Sequence, residues 1–328
     1  MKIAIIGFGS VGQGVARAIL KKGLPIAISG VADSRSAIID NDGIDIGALL
    51  VAKERTGMCG NMEFSAGDVI SQADYDVLVE VSPTDVATGE PALGHMMAAI
   101  RRGKHVVTSN KGPIAGSFPE LLAEADKYGV TIRYEATVCG AIPLIHALHD
   151  GLAGNEISHL YGVLNGTCNY ILTRMSDEGL TYDQALMEAR ELGYAEADPT
   201  YDVKGIDAAI KLVILANTIW NMGKMLDDVE ITGIDNITPD ALKLVEDSDR
   251  TIRLIGEIIP VQGILRVSPR MLHKRHPMVV EGTLNAVMIE TDMAGKITLA
   301  GKGAGSIETA SAIIGDILHI MKYHVKGN

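Results

Sequence analysis

The sequence predicts an α/β protein: a doubly wound parallel sheet, then a second α/β unit built on an open mixed sheet. Three observations lead there. The chain opens with an apolar strand that runs through a glycine-rich turn into a helix. Short apolar strands then alternate with helical stretches as far as residue 135. From about residue 151 the alternation gives way to polar turns, an acidic loop, a long apolar helix and later extended segments. The expected units are residues 1–135, residues 136–300, and a closing helix in 301–328 that returns to the first unit.

Residues 1–6 form the opening strand, and residues 13–20 carry apolar positions at helical spacing. Between them, Gly7-Phe8-Gly9-Ser10-Val11-Gly12 matches the dinucleotide fingerprint. Gly7 permits the tight turn, Gly9 lets the backbone approach a pyrophosphate, and Gly12 lets the helix pack on the strand. The N–H groups at the helix start then face the phosphates. These six residues are expected to cradle a cofactor, which makes the first sheet a Rossmann-type one.

A second strand, 25–32, ends at Asp33, where an acid ~20 residues past the glycines meets the adenosine ribose hydroxyls. Ser34 and Arg35 follow at once, and an arginine there suits a 2′-phosphate. A solvated loop charge is the plainer alternative. The conflicting signals favour NADP, with NAD also accepted.

A helix over 38–54 and a loop over 55–65 come next. The strand 75–82 ends in the small polar turn Ser82-Pro-Thr84. A helix over 90–102 leads to the strand 104–110, which carries Ser109 and delivers Lys111. A helix at 119–128 and a strand at 130–135 complete the alternation. Ligands of such sheets bind at the carboxyl ends of the strands. Gly7, Ser82 and Lys111 all fall there, with Thr84 and Ser109 beside them.

In the second unit a strand from His159 leaves into the polar turn at Asn165, Gly166 and Thr167, and a helix follows at 170–177. The next stretch is the most informative of the chain. Glu196, Asp198, Asp202 and Asp207, with Lys211, crowd a loop that runs straight into the apolar helix 212–216. Asp207 and Lys211 are four residues apart and share one helix face. A charged pair at the mouth of a buried helix is costly unless it is paired or put to use. The cluster suits gripping an ammonium group and holding a lysine for proton transfer; an ordinary surface pair is the bland alternative. Residues 263–267, 278–282 and 286–292 read as extended. The glycine-rich turn at Gly303 opens the closing helix, and it either touches the cofactor from the other side or only packs closely.

The 328 residues carry 47% hydrophobic and 21% charged side chains, an ordinary globular balance, and a formal net charge of −12. That charge argues against nucleic acid or an anionic membrane surface as partner. Three widely spaced cysteines (Cys59, Cys139, Cys168) suit a reducing compartment and form no CxxC motif. The N-terminus is a core strand rather than a signal peptide, and no apolar run reaches membrane length. A cytoplasmic enzyme is the expectation.

The motifs resemble those of homoserine dehydrogenases over nearly the whole chain and in the family's order. They are Gly7-Phe-Gly-Ser-Val-Gly-Gln-Gly14, Val107-Thr-Ser-Asn-Lys-Gly-Pro113, Tyr134-Glu-Ala-Thr-Val-Cys-Gly-Ala-Ile-Pro143, Gly162-Val-Leu-Asn-Gly-Thr-Cys-Asn-Tyr170, residues 191–211, and Gly303-Ala-Gly-Ser-Ile-Glu-Thr-Ala-Ser311. The resemblance implies reversible hydride transfer between NAD(P)H and C4 of L-aspartate 4-semialdehyde, giving L-homoserine, in threonine and methionine biosynthesis. It implies that Glu196 and Asp202 bind the amino group, with Thr167 lining the pocket. Asp207 and Lys211 then lie nearest the reacting oxygen, Lys211 as proton donor oriented by Asp207. Lys111 matches a second family lysine that either holds the substrate or shares the proton transfer. Also implied are a homodimer and a monovalent cation, sodium by the oxygen-only chemistry of its donors. Its ligands would be Glu135 and the carbonyls of Val138, Gly140 and Ile142; Glu135 as a mere cap on backbone groups is the alternative. Longer members carry a regulatory domain, and with the sequence stopping at Asn328 threonine feedback through one is not expected.

Two other readings use the same residues. Cys139, with His146 and His149 on the following helix, suits a phosphorylating semialdehyde dehydrogenase working through a thioester, although a buried structural thiol is expected there. A non-enzymatic NAD(P)H sensor would need a basic helix-turn-helix or an exposed apolar patch.

Overall fold

A computed structural model describes residues 1–323. The last five residues of the expected closing segment, 324–328, lie outside the described residues. The chain divides into two compact units, Met1–Gly140 joined by the segment from Gly305 onward, and Ala141–Ala304.

The first unit contains β1 (Lys2–Ile6), α1 (Ser10–Lys22), β2 (Ala27–Ala32), β3 (Ala37–Ile39), α2 (Ile46–Thr56), α3 (Ala66–Gln72), β4 (Val77–Glu80), α4 (Ala92–Arg101), β5 (His105–Thr108), α5 (Lys111–Gly116), α6 (Phe118–Tyr128) and β6 (Ile132–Arg133). The sheet order is β3-β2-β1-β4-β5-β6, parallel throughout except for the β2–β3 pair. The order reverses at β1, so the carboxyl ends of β1 and β4 form the switch point where such sheets take ligands. From Ile3 onward β1 is apolar because both faces are covered; Ile3, Ile5, Val77, Val79 and Val107 share a core with Val15 and Ile19 of α1. Helix α1 stops at Gly23, which takes the left-handed conformation (φ 58°) and donates to the carbonyls of Ile19 and Leu20.

Two expectations are corrected here. Residues 37–39 are a strand, antiparallel to β2, and the helix begins only after Asp45, whose side chain accepts from Ala48 N and caps it. The strand expected at 130–135 shrinks to two residues, because Glu135 already opens a 3-10 turn over Glu135–Thr137.

The second unit contains α7 (Leu144–His146), β7 (Ile157–Val163), α8 (Gly166–Glu178), α9 (Tyr182–Glu191), α10 (Thr200–Val203), α11 (Ile206–Trp220), β8 (Val229–Ile231), α12 (Pro239–Glu246), β9 (Arg250–Ile259), β10 (Ile264–His273), β11 (Leu284–Thr291) and β12 (Lys296–Lys302). Its sheet order is β12-β11-β7-β9-β10-β8, antiparallel apart from the β8–β10 pair, so the open mixed sheet is present. Every α11 residue from Asp207 to Asn217 is buried. The helix lies so close to β9 that a Cβ on Gly256 would stand 3.1 Å from Leu212 Cδ2. Helix α13 (Ser306–Tyr323) belongs to the first unit, where Ala310, Ile313 and Ile317 enter the α1 core.

Residues 278–282, expected as a strand, are not one. Asn169 Nδ2 takes the carbonyls of Val280, Gly282 and Leu284 at 3.0, 2.9 and 3.2 Å, which holds the segment off the ladder. Met278 and Val280 instead pack on the sheet residues Val163, Ile255, Ala286 and Met288. Residues 299–302 are strand rather than the start of a helix. Among the described residues no helix is long and apolar enough to cross a membrane.

Candidate active site

The cofactor side begins at the glycine turn. Gly7 has φ 100°, and a Cβ on it would stand 2.4 Å from the Val81 carbonyl carbon. A Cβ on Gly12 would stand 2.2 Å from Gly7 O. Gly9 is different: among the described residues no heavy atom comes within 4 Å of where its Cβ would be. Two glycines are therefore required by the protein's own backbone, and the third leaves space for a ligand. Gly9 caps α1 with no side-chain hydrogen bond, and the first turn of the helix holds no acid, an arrangement that suits phosphate.

This turn opens on a cavity of about 910 Å³, lined among others by Gly7 to Val11, Asp33 to Ser36, Lys53, Ser82 and His95. Asp33 Oδ1 accepts from Arg35 N and Ser36 N at 2.8 Å and from Ser36 Oγ at 3.0 Å. Its Oδ2 accepts from Lys53 Nζ at 2.7 Å and Cys59 N at 3.2 Å. Burial disfavours the Asp33 charge, but Lys53 and the Arg35 and Ser36 amides outweigh it and hold the carboxyl well below the usual carboxylate range. Lys53 Nζ and Arg35 Nη2 also share the Gly57 carbonyl, at 2.8 and 3.0 Å. The sequence reading missed Lys53. The signal available was a basic residue in the last turn of the helix that follows Asp33.

At the end of β4, fully buried Glu80 accepts from Ser82 N at 2.9 Å, Ser82 Oγ at 2.5 Å and Asn110 Nδ2 at 3.1 Å, and pairs with His95 Nδ1 at 2.8 Å. The Ser82 hydroxyl is thus engaged by the protein itself. Thr84 Oγ1 donates to Ser82 O at 3.3 Å and Ser109 N to Glu80 O at 3.4 Å. Lys111 opens α5 immediately after the Asn110 cap and is half-buried.

The second unit assembles the acidic cluster around one amide. Asn165 caps α8, its Oδ1 accepting from Cys168 N at 2.8 Å. Its Nδ2 donates to Asp202 Oδ1 at 2.7 Å and to Asp207 Oδ2 at 2.9 Å. Lys211 Nζ meets Asp207 Oδ2 at 2.7 Å and donates to Leu164 O at 2.6 Å. Asp207 and Lys211 are 5% and 7% exposed, so the pair is buried, as an i,i+4 pair at the base of an apolar helix must be. Burial raises the Asp202 carboxyl; the Asn165 bond only partly offsets that, and the Asp207 charge adds to it. Thr167 Oγ1 donates to Tyr194 O at 2.7 Å. Glu196 is exposed on the loop, and Asp198 accepts from Thr200 N at 3.0 Å. Chemically the cluster offers a buried ammonium fixed by a carboxylate, beside a second carboxylate whose charge is poorly compensated. Asn165 is its hub, and the readable signal was an asparagine directly before the residue that opens a helix.

Glu135 is 2% exposed, and its N–H donates to Asp316 Oδ2 at 2.9 Å. Cys139 and Gly140 follow with φ 57° and 53°. Cys139 is 1% exposed, the buried thiol that was expected.

The model of the homoserine dehydrogenase family matches residues 143–318, and that of the homoserine dehydrogenase NAD binding domain matches residues 7–135. A homoserine dehydrogenase of Methanocaldococcus jannaschii is 47% identical over 98% of both chains. An NAD(+)-dependent homoserine dehydrogenase of Pseudomonas canavaninivorans is 35% identical over 97% of this chain and 96% of its own. Among solved structures, a putative homoserine dehydrogenase from Archaeoglobus fulgidus superposes with a TM-score of 0.92 at 47% identity, covering 98% of this chain and 99% of its own. A hyperthermophilic archaeal homoserine dehydrogenase in complex with NADPH gives 0.84 at 32% identity over 98% of both. The chain belongs to the homoserine dehydrogenase family, NAD(P)-dependent oxidoreductases acting on the CH–OH group of homoserine.

Proposed function

We propose that in this chain Lys211 carries the proton of the reaction, Asp207 and Asn165 fix it in place, and Asp202 with Glu196 receives the substrate ammonium. The observation that carries the reading is the buried Asn165–Asp202–Asp207–Lys211 network. A nicotinamide cofactor held at the glycine turn would supply or accept the hydride at C4 of the substrate. In the reducing direction the Lys211 ammonium gives a proton to the substrate oxygen as hydride reaches C4 and is left as the neutral amine, which regains a proton from solvent. In the oxidising direction Lys211 first loses a proton to solvent, and the neutral amine then takes the hydroxyl proton of homoserine as the carbonyl forms. The bond to Leu164 O gives the ammonium a second fixed partner besides Asp207, so its direction is set before substrate arrives. Lys111, at a strand end of the dinucleotide-binding unit, holds the substrate or shares the proton transfer. The thioester chemistry considered for Cys139 has no place in this scheme.

The raised Asp202 carboxyl makes the ammonium assignment testable. A carboxylate that burial disfavours gains most from a cation brought to it. Asp202→Asn is expected to raise KM for homoserine roughly 10- to 150-fold, the range of a lost hydrogen bond to a charged group, with a smaller change in kcat. The sign of its stability effect is opposite. A group whose folded pKa lies above its unfolded value costs stability once pH has risen through that range. The variant should therefore melt higher than wild type near pH 8, and the difference should close as pH falls below the ordinary carboxylate range. Steady-state kinetics and thermal melts across pH check both; an unchanged KM would remove Asp202 from the substrate site.

The preferred cofactor is NADP. All five donors on Asp33 come from the protein, whereas a carboxylate that binds ribose hydroxyls must keep acceptor capacity for them. Lys53 neutralises Asp33, and Arg35, exposed beside it, supplies a positive charge for a 2′-phosphate. The buried acid Glu135 and the paired left-handed turn after it fit a small oxygen-ligated cation, and sodium is assigned to that loop. Cross-strand register puts Tyr161, Glu230, Glu257 and Arg266 on one face of the second sheet, with Glu290 and Lys296. Both signs of charge on one face suit a twofold partner, and a homodimer through this face is expected in sedimentation equilibrium. A monomeric mass at working concentration would contradict it.

A further inference from the structure

Asn285, in β11, is fully buried. Its Nδ2 donates at 3.0 Å to Leu164 O, the carbonyl that also accepts from Lys211 Nζ at 2.6 Å. Its Oδ1 has no hydrogen-bond partner among the described residues. A buried amide with an orphaned oxygen weakens a fold, and a leucine would fill nearly the same volume without that cost. Packing alone therefore does not explain an asparagine here.

The turn that follows β12 is shaped around the amide. A Cβ on Gly303 would stand 2.1 Å from Asn285 Nδ2 and 2.2 Å from its Cγ. Gly303 does not lie among the positive-φ glycines, so its backbone conformation does not demand glycine; the side chain of Asn285 does. Of the two readings left open for Gly303, close packing is what the geometry displays. An ammonium held by one carboxylate can swing about it. A carbonyl that is itself fixed removes that freedom, and Leu164 O is held in place by the Asn285 amide.

Resting on the reading that Lys211 carries the proton, we infer that Asn285 is a positioning residue for this reaction: it orients the Leu164 carbonyl that directs Lys211 Nζ, and Gly303 keeps the amide seated. Asn285→Leu should lower kcat about tenfold, because displacing a reacting group by a fraction of an ångström has effects of this order. KM for homoserine and the dissociation constant for NADPH, read by fluorescence, should stay within about twofold. The melting temperature should not fall, since the orphaned oxygen is gone. Gly303→Ala, which forces the amide aside from the turn after β12, should show the same kcat loss in the wild-type background and none in an Asn285→Ala background. In a Lys211→Met background Asn285→Leu should add no further loss, the signature of residues acting as a unit.

The controls separate the two levels of the argument. Full turnover in folded Lys211→Met would remove the proton-carrier reading and this inference with it. Loss of turnover in Lys211→Met, with unchanged kcat in Asn285→Leu or with losses that multiply in the double variant, would overturn the Asn285 inference alone. A melting temperature well below wild type in Asn285→Leu would make Asn285 a structural residue and overturn it too.

Discussion

Lys211→Met is expected to lower kcat for homoserine oxidation about a thousandfold, within the range that a positioned general acid–base contributes. Methionine keeps much of the apolar stem that α11 packs around, so the loss falls on the ammonium. The same substitution should also cost stability. Asp207, 5% exposed and bonded to the Asn165 amide, would keep its charge after losing the ammonium, and breaking a buried pair on one side costs about 3–5 kcal/mol. Lost turnover could then be mistaken for lost folding. The double variant Lys211→Met/Asp207→Asn removes both charges, and it should recover most of the melting temperature and none of the turnover. A double variant that melts like wild type and stays inactive assigns the proton to Lys211. A single variant that is folded and turns over normally refutes the assignment.

How far the sequence can be read differs between backbone and side chains. The glycine turn was legible because its demands are local: Gly7 and Gly12 are excluded from bearing a Cβ by atoms of the same strand–turn–helix and the adjacent strand end. Asp207 and Lys211 were legible because four residues on a helix make a pair whatever else the fold does. Asn165 was seen only as part of a polar turn, since its role depends on Asp202 and Asp207 arriving 37 and 42 residues later. Asn285 carries no local signal at all: its partner, Leu164, lies 121 residues earlier, just past the end of β7. The element errors have similar causes. β9 was unreadable because it is buried on both sides and Thr251, Arg253 and Glu257 interrupt its apolar residues, so the two-residue alternation is lost. The segment 278–282 has strand composition, but Asn169 takes the carbonyls that a ladder would use.

Lys53→Ala should reverse the cofactor preference. In the wild type, Lys53 Nζ sits 2.7 Å from Asp33 Oδ2 and 2.8 Å from Gly57 O, at the wall of the dinucleotide cavity. Removing it takes a positive charge from the 2′-phosphate side and frees Asp33 Oδ2 for ribose hydroxyls. Hydrogen bonds to charged groups contribute about 1.5–3 kcal/mol each, and both changes act in the same direction. The ratio of kcat/KM for NADP to that for NAD should therefore fall about a hundredfold or more, with the rate for NAD unchanged or higher. Arg35→Ala, which removes an exposed guanidinium and leaves Asp33 neutralised, should reduce the NADP rate and leave the NAD rate alone. Stability supplies an independent reading. Asp33 has a depressed folded pKa, so its contribution is present above the ordinary carboxylate range and is lost as pH falls through the folded value. Removing Lys53 takes away much of that contribution. The melting temperature of Lys53→Ala should lie below wild type at neutral pH, and the gap should narrow on acidification. Homoserine-dependent absorbance growth at the reduced-nicotinamide band, run in parallel with NADP and NAD, checks the preference in each variant. A wild type that favours NAD, or a Lys53→Ala enzyme whose ratio is unchanged, would mean that Asp33 meets the ribose despite Lys53 and that the 2′-phosphate assignment is wrong.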